Sequence, residues 1–103
     1  LQGGMMMYLV KVHPHEREVV VAACDEGLLG KTIDGGRVRI TVNESFYGGQ
    51  QLDEEALIQR MGIATILNIV GNDVVEVALR EGFVSPDSVM DIGGVKHAQA
   101  VLM

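Results

Sequence analysis

The stretch from Ile63 to Val84 constrains the fold most, because it combines one buried strand, one sharp turn and one helix in succession. Its first eight positions are almost all apolar and rich in β-branched side chains, which favours a short strand over a helix. Gly71 ends that run, and Asn72 and Asp73 can cap a helix. The apolar residues that follow recur at helical spacing until Gly82. A strand followed directly by a packed helix is therefore the predicted centre of the core.

The flanking segments predict further strands and a second helix. Alternating or β-branched runs and turn signals predict a strand from Tyr8, a hairpin tip at 13–17, a strand over Glu18–Cys24, a strand over Arg37–Asn43, a helix from Asp53, and a final hairpin of Val89–Ile92 and Val95–Met103 around Gly93 and Gly94. Strands before, between and after two helices predict an α/β (α+β) fold, a two-layer sandwich whose mixed sheet carries both main helices on one face. The other face of the sheet is expected to be partly open.

Length and composition predict a single cytoplasmic domain. A chain of 103 residues with 48% apolar content can bury a continuous core without disulfides or metal. Residues 1–6 show no periodicity, so we expect them to be a leader and residues 7–103 to form the domain. The single cysteine, Cys24, has no partner for an internal disulfide, which indicates a reducing compartment. The longest apolar runs fall far short of the roughly 20 residues of a membrane helix, so no membrane partner is expected.

The net charge of −6 disfavours sequence-independent attraction to nucleic acid. The excess acid lies in the second part of the chain, because residues 1–43 hold five basic and five acidic side chains whereas residues 44–103 hold three and nine. Binding to a nucleic acid depends on one local face rather than on the total charge. A basic surface is therefore expected in the N-terminal part, if anywhere.

Three segments together resemble a known family: YLVKVHPHEREVVVAACDEGLLGKT, SFYGG, and NIVG followed by a helix and then IGGVKHAQ. They resemble a family of small archaeal proteins known as domain of unknown function 424, over nearly all of Tyr8 to Met103. The resemblance implies an archaeal cytoplasmic setting, a compact two-layer α/β fold and stand-alone occurrence, with RNA binding suggested for the family. It implies no catalytic residues.

Candidate catalytic and metal-binding patterns have simpler structural explanations. Residues 30–32 (GKT) follow a strand as a phosphate-binding loop does, but that motif needs glycine where this chain has Asp25. His13 and His15 have the spacing of two metal ligands on a strand, but no second close pair accompanies them. The charge of Asp25 also disfavours an activated thiolate at Cys24. We therefore expect no catalytic residue, no metal and no cofactor, and the pattern leans away from an enzyme.

One surface remains as a candidate binding site. If the three N-terminal strands are neighbours, basic side chains project from the open face of the sheet beside two aromatic residues. The candidate RNA-binding residues are Lys11, Arg37, Arg39, Phe46 and Tyr47, with His13 as a further candidate. Basic groups beside stacking aromatics hold single-stranded RNA on a sheet. The simpler alternative is that the arginines only solvate a strand and Phe46 caps the core edge. The leading hypothesis is a non-enzymatic module that binds RNA or a ribonucleoprotein.

Two other functions stay open. The final segment, Ala98 to Met103, is apolar and uncharged, and at a sheet edge it would pair with another chain and form a homo-oligomer. An enzymatic alternative, the least favoured, places three side chains around a small-molecule pocket between glycine-rich loops. Those side chains are His97, Gln99 and Tyr47, and the loop glycines are Gly48, Gly49, Gly93 and Gly94.

Overall fold

A computed structural model describes residues 6–102 of the chain. Residues 1–5 of the predicted leader lie outside the described residues, as does Met103 at the other end. The strands are β1 (Tyr8–His15), β2 (Glu18–Asp25), β3 (Thr32–Asp34), β4 (Arg39–Thr41), β5 (Gln50–Leu52), β6 (Ile66–Val70), β7 (Val89–Ile92) and β8 (Val95–Val101). The α-helices are α1 (Glu44–Tyr47), α2 (Glu54–Gly62) and α3 (Asn72–Arg80), and single 3-10 turns span Glu26–Leu28 and Pro86–Ser88.

Six of these strands form one mixed sheet in the order β5-β1-β2-β6-β8-β7. The central pair, β2 and β6, is parallel, and the other four neighbouring pairs are antiparallel. The predicted hairpin of β7 and β8 turns through Gly93 and Gly94, which both have the positive φ (57° and 87°) that a tight two-residue turn requires. The predicted mixed α+β architecture is thus confirmed.

Both longer helices cover the same face of the sheet, as predicted. Helix α2 begins after Asp53, whose carboxylate accepts a hydrogen bond from the amide of Ala56 at 2.9 Å. Fully buried residues from both helices and from alternate positions of the strands make up this core: Leu57, Met61, Val74, Val75, Ala78, Val21, Ala23, Leu67 and Ile69. The apolar stripes of the two helices therefore close this side of the sheet.

The opposite face is half covered, and the cover corrects the prediction that the third strand joins the sheet. The predicted strand Arg37–Asn43 is reduced to β4, which pairs with β3 in a separate two-stranded sheet. Ile40 and Val42 give this hairpin an apolar side, and that side packs in one cluster with Cys24 and Val70 of the main sheet. Burying these side chains against the sheet removes more apolar surface from water than adding an exposed edge strand would.

The first hairpin is tighter than predicted. Its tip is Glu16 and Arg17 rather than residues 13–17, and Glu16 adopts a positive φ of 55°. Pro14 lies inside β1 instead of breaking it. A proline is tolerated there because β5 pairs only with residues 8–10, which leaves the second half of β1 at the edge of the sheet.

Helix α3 is capped by a residue distant in sequence, and the predicted cap was wrong. Asn72 and Asp73 do not cap the helix. Instead, the carboxylate of Asp25 accepts hydrogen bonds from the amides of Asp73 at 3.0 Å and Val74 at 2.8 Å. Gly71 occupies the N-cap position with a φ of 130°, and a side chain there would overlap the Asp25 carboxylate. The end of β2 is therefore tied to the start of α3.

Candidate functional site

Alternation places every second residue of four strands on the half-covered face, in rows that cross the sheet. The row nearest the β1–β2 turn, here named the open row, consists of His13, Val20, Ile66 and Val101. The next row, named the amide row, consists of Lys11, Ala22, Asn68 and Gln99. Helix α1 and the β3–β4 hairpin cover the rows beyond. The open row stays accessible to solvent, and Val101 at its end is 72% exposed.

Helix α1 lies beside these rows and is held to β1 by two side chains. The segment was predicted as a loop, but Asn43 caps a helical turn by accepting a hydrogen bond from the amide of Ser45 at 2.9 Å. The rings of His13 and Phe46 stack with centroids 4.9 Å apart and an interplanar angle of 14°. His13 Nε2 also lies 2.7 Å from the carbonyl oxygen of Phe46, and Lys11 Nζ donates to the carbonyl oxygen of Ser45 at 3.0 Å. One cation and two stacked rings therefore lie together, half-buried, at the rim of the open row.

The candidate loop glycines permit close backbone approaches and lie in two separate places. A side chain at Gly49 would overlap the backbone of Val10, and one at Gly48 would overlap the preceding helical turn, so α1 can pack on β1 only with glycine there. Gly93, in the β7–β8 turn, lies against the backbone of Asp34, where the β3–β4 hairpin meets that turn. The two glycine pairs serve different contacts, and no pocket forms between them in the described part of the chain.

Four polar side chains meet where the amide row passes beside α1. The hydroxyl of Tyr47 donates to Asn68 Oδ1 at 2.5 Å. His97 Nδ1 lies 2.8 Å from the carbonyl oxygen of Ile69, which it can contact only as a donor. Gln99 Nε2 lies 3.5 Å from His97 Nε2. His97 itself is 7% exposed, while Gln99 is exposed. The three side chains of the predicted enzymatic alternative thus lie in one polar cluster, on a surface rather than in a pocket.

Asn68 was not among the predicted site residues, although its place in the sequence is unusual for a polar side chain. It is the polar residue inside the apolar strand β6, between Ile66 and Ile69. A polar side chain on a buried strand needs a hydrogen-bond partner, and alternation places this one on the face opposite the long helices. Tyr47, on α1, supplies that partner.

Burial affects the ionisation of Cys24 and Tyr47 on the half-covered face. It raises the pKa of Cys24 to about 11, and the charge of Asp25 adds to the effect. Burial also raises the pKa of Tyr47 to about 12. Both groups therefore stay protonated at neutral pH, so Cys24 is not a thiolate and Tyr47 is a hydrogen-bond donor. The arrangement is suited to binding by hydrogen bonds and stacking.

Two further kinds of feature, a metal-binding cluster and a membrane-spanning helix, are absent from the described part of the chain. Residues 6–102 contain no group of three or more His, Cys, Asp or Glu side chains that could hold a metal ion. No helix within the same range is long and apolar enough to cross a membrane. The candidate site consists of the open row, the amide row and the rim formed by α1.

The two candidate arginines do not lie on this surface. Arg37 lies in the bend between β3 and β4, and Arg39 on β4 pairs with Asp34 at 3.3 Å. The tip of their hairpin meets the sheet at Ile92, at the β7 edge, whereas Lys11 is on β1, four strands or roughly 19 Å away. The predicted five-residue surface is therefore divided, because the third strand is not part of the main sheet. Lys11, Phe46 and Tyr47 remain together.

The C-terminal strand is not an edge strand as a whole, which corrects the premise of the predicted pairing. The edges of the sheet are β5 and β7. Residues 97–101 of β8 pair with β6, and residues 95–98 also pair with β7. On the β7 side, residues 99–101 have no strand partner within the described chain. Only this short part of the predicted segment Ala98–Met103 lacks a strand partner on that side, where the 3-10 turn Pro86–Ser88 lies close to β8, and Met103 lies outside the described residues.

The chain matches a known protein family and is similar to a solved structure. The family model described as protein of unknown function (DUF424) matches residues 13–103. The chain belongs to the DUF424 family. A solved structure of an uncharacterized conserved protein from Methanopyrus kandleri is similar to this DUF424 chain with a TM-score of 0.77 and 25% identity, over 91% of this chain and 90% of that one. The search of curated proteins gives no match. These findings confirm the family resemblance and the fold, and they assign no role to any residue.

Proposed function

We propose that this DUF424 chain is a non-enzymatic module of the archaeal cytoplasm that binds single-stranded RNA, free or in a ribonucleoprotein, on the open row and its α1 rim. The proposal rests on one observation, the stacked rings of His13 and Phe46 beside Lys11 at the margin of an uncovered sheet face. Proteins hold single-stranded RNA by stacking bases on aromatic side chains carried by a sheet, with a cation near the backbone.

The chemistry of the open row supports this function further. Val20 and Ile66 are half-buried and Val101 is exposed, so the row offers an apolar floor to the flat face of a base. The amide row beside it supplies hydrogen-bonding groups. Stacking on aromatic side chains is worth about 1–3 kcal/mol per base, which can carry binding where cations are few.

Because few cations lie at the site, RNA binding should depend only weakly on the salt concentration. Lys11 is separated from Arg37 and Arg39, and the chain carries a net charge of −6. Each phosphate contact contributes about −0.7 to the slope of log K against log salt for single strands. With one lysine at the site, we therefore expect a shallow slope of about −0.7.

The test is fluorescence anisotropy with a labelled single-stranded RNA of mixed sequence, at low and moderate salt. Phe46→Leu keeps an apolar side chain but removes the aromatic ring, so binding should weaken about tenfold. Lys11→Met should weaken binding a few-fold and flatten the salt slope. Arg37→Ala and Arg39→Ala, on the separate hairpin, are the matched controls and should bind as the unchanged protein does.

Two results contradict the proposal. One is RNA binding that Phe46→Leu leaves unchanged while its urea midpoint shows an intact fold. The other is binding that disappears in Arg37→Ala or Arg39→Ala but survives in Lys11→Met, which would move the RNA to the β3–β4 hairpin.

A second candidate function is pairing with another chain along residues 99–101, on the side where they have no strand partner. Two exposed apolar side chains favour it, Met90 at 49% and Val101 at 72%. Unpaired strand backbone beside exposed apolar surface is a site for added strands. Light scattering tests this candidate: a dimer that Val101→Lys converts to a monomer supports it, and a monomer at high micromolar concentration removes it.

A further inference from the structure

We infer that Asn68 and Gln99 form a pair that reads the hydrogen-bonding edge of an unpaired RNA base. The inference deepens the proposed function and rests on it. Nothing in the family match or in the similar structure assigns a role to these two side chains. They lie in the amide row, opposite each other on β6 and β8, with Cβ atoms about 5 Å apart.

Tyr47 fixes the orientation of the Asn68 amide. The Tyr47 hydroxyl donates to Asn68 Oδ1 at 2.5 Å, so the oxygen of that amide is engaged. The nitrogen, Nδ2, makes no other hydrogen bond among the described residues and lies on a half-buried side chain. Asn68 therefore presents a donor. Because Tyr47 stays protonated well above neutral pH, this orientation persists across the physiological range.

His97 fixes the orientation of the Gln99 amide in the same way. The contact between Nδ1 and the carbonyl oxygen of Ile69 places the ring proton on Nδ1, which leaves Nε2 as an acceptor. Gln99 Nε2 must then be the donor in its 3.5 Å contact with His97 Nε2. The Gln99 oxygen is free of hydrogen bonds within residues 6–102, so Gln99 presents an acceptor.

The donor of Asn68 and the acceptor of Gln99 together match the hydrogen-bonding edge of a nucleobase. Adenine and cytosine present an exocyclic amine next to a ring nitrogen acceptor, whereas guanine and hypoxanthine present a carbonyl next to a ring N–H. Uracil has a carbonyl on each side of its ring N–H and therefore presents both orders. The orders in adenine and hypoxanthine are reversed, so a fixed amide pair next to a fixed stacking surface favours one of these two bases. Ala22 lies between Asn68 and Lys11 in the same row and is fully buried in one cluster with Tyr47, so a base can reach this row only at Asn68 and Gln99.

The experiment compares labelled oligo(A), oligo(C) and oligo(I), in which inosine carries the hypoxanthine base, at equal length and by anisotropy at one salt concentration. We expect the unchanged protein to bind oligo(A) and oligo(I) with affinities that differ by at least ~5-fold, the lower end of a bidentate base contact. Gln99→Met removes the acceptor from an exposed position. Asn68→Asp keeps an oxygen for the Tyr47 hydroxyl and removes the donor. Each variant should bring the ratio to within ~2-fold while RNA is still bound.

The control is Gln59→Met on α2, an exposed glutamine on the helix-covered side, and it should leave the ratio unchanged. If the unchanged protein binds RNA without distinguishing the three oligomers, or if both variants keep the original ratio, this inference is overturned and the proposed function stands. If no oligomer binds at low salt, both fail. Urea midpoints of the variants show whether any loss reflects unfolding.

Discussion

The two faces of the six-stranded sheet are built from the same strands but are covered to different extents. Helices α2 and α3, nine residues each, are about 10 Å wide and close one face. The other face is covered by a hairpin of two three-residue strands and a four-residue helix. Strands of eight residues, such as β1 and β2, extend about 26 Å, which exceeds the reach of that cover. The short cover leaves the open row accessible, and the candidate site lies there.

The difference also separates the chemistry of the two faces. The helix-covered core is formed by apolar side chains. The half-covered face carries His13, Lys11, Asn68, His97 and Gln99 beside its apolar residues. Polar groups on a sheet face are kept where they bond to a cover or to solvent. Four predictions test this contrast between the two faces, in decreasing order of the change in stability that we expect.

Truncation of the helix-covered core should have the largest effect. Leu67 on β6 is fully buried among side chains of the helix-covered core. Leu67→Ala should lower the free energy of unfolding by about 2–5 kcal/mol, because it removes buried methyl groups and leaves a cavity. Urea titration followed by circular dichroism measures the change. A loss below about 1 kcal/mol would mean that the helix layer repacks freely and that the contrast between the faces is overstated.

Alkaline pH should lower the stability of the protein through Cys24 and Tyr47, which are buried on the half-covered face of the sheet. The ordinary pKa values of Cys24 and Tyr47, 9.0 and 10.0, are raised by burial to about 11 and about 12 in the folded protein. A raised pKa means that stability is fully present below the ordinary value and is lost as the pH rises through the folded one. The combined loss between pH 9 and pH 12 should be on the order of 2 kcal/mol or more.

Urea midpoints measured at intervals from about pH 8 to pH 11 test this loss. Tyr47→Phe removes one of the two groups, so its stability should fall less steeply than that of the unchanged protein above about pH 10. Equal slopes for the two proteins would show that Tyr47 is hydrated in solution and that α1 does not seal the rows beneath it.

The cap that links β2 to α3 should give an intermediate effect. Asp25→Ala removes both hydrogen bonds to the amides of Asp73 and Val74 and should cost about 1–2 kcal/mol. Asp25→Asn keeps one acceptor and should cost less. Urea unfolding at pH 7 measures both. If alanine and asparagine are equal, the carboxylate is not the cap, and α3 is stabilised by packing alone.

The contribution of Asp25 to the free energy of unfolding should change with pH in a definite direction. Burial raises the pKa of Asp25, although the two amide hydrogen bonds oppose the shift. The stabilising contribution is therefore complete below the ordinary value of 3.8 and declines as the pH rises through the folded pKa. Asp25→Asn does not titrate, so its deficit against the unchanged protein should narrow from acid to neutral pH.

The parts of this structure that sequence predicted depend on short-range patterns. The strand at Ile66–Val70, the helix cap at Asp53 and the Gly93-Gly94 turn all follow from residues within a few positions of one another. The failures depend on distant partners. Asp25 caps α3 by accepting a hydrogen bond from the amide of Asp73, 48 residues later in the sequence. Periodicity gives the apolar side of a strand such as β4 but not the surface on which that side packs.

The residues of the candidate site also divide into those that short-range patterns predicted and those whose role depends on distant partners. The sequence brought Phe46 and Lys11 into one hypothesis, because basic and aromatic residues near each other are a recognisable pattern. It also placed Arg37 and Arg39 there, because nothing local distinguishes a strand added to the sheet from a hairpin folded over it. Asn68 was missed because its role depends on the hydroxyl of Tyr47, which comes from another element.

The smallest effect is expected at the end of the open row, and it tests whether that row is uncovered in solution. Val101 is 72% exposed, so Val101→Ser removes little buried apolar surface and should change the free energy of unfolding by less than about 0.5 kcal/mol. The measurement is a urea titration at two protein concentrations. A loss above about 1 kcal/mol that grows with concentration would mean that a second copy of the chain covers Val101. The half-covered face would then be closed by an interface, and RNA would have to compete with it for the open row.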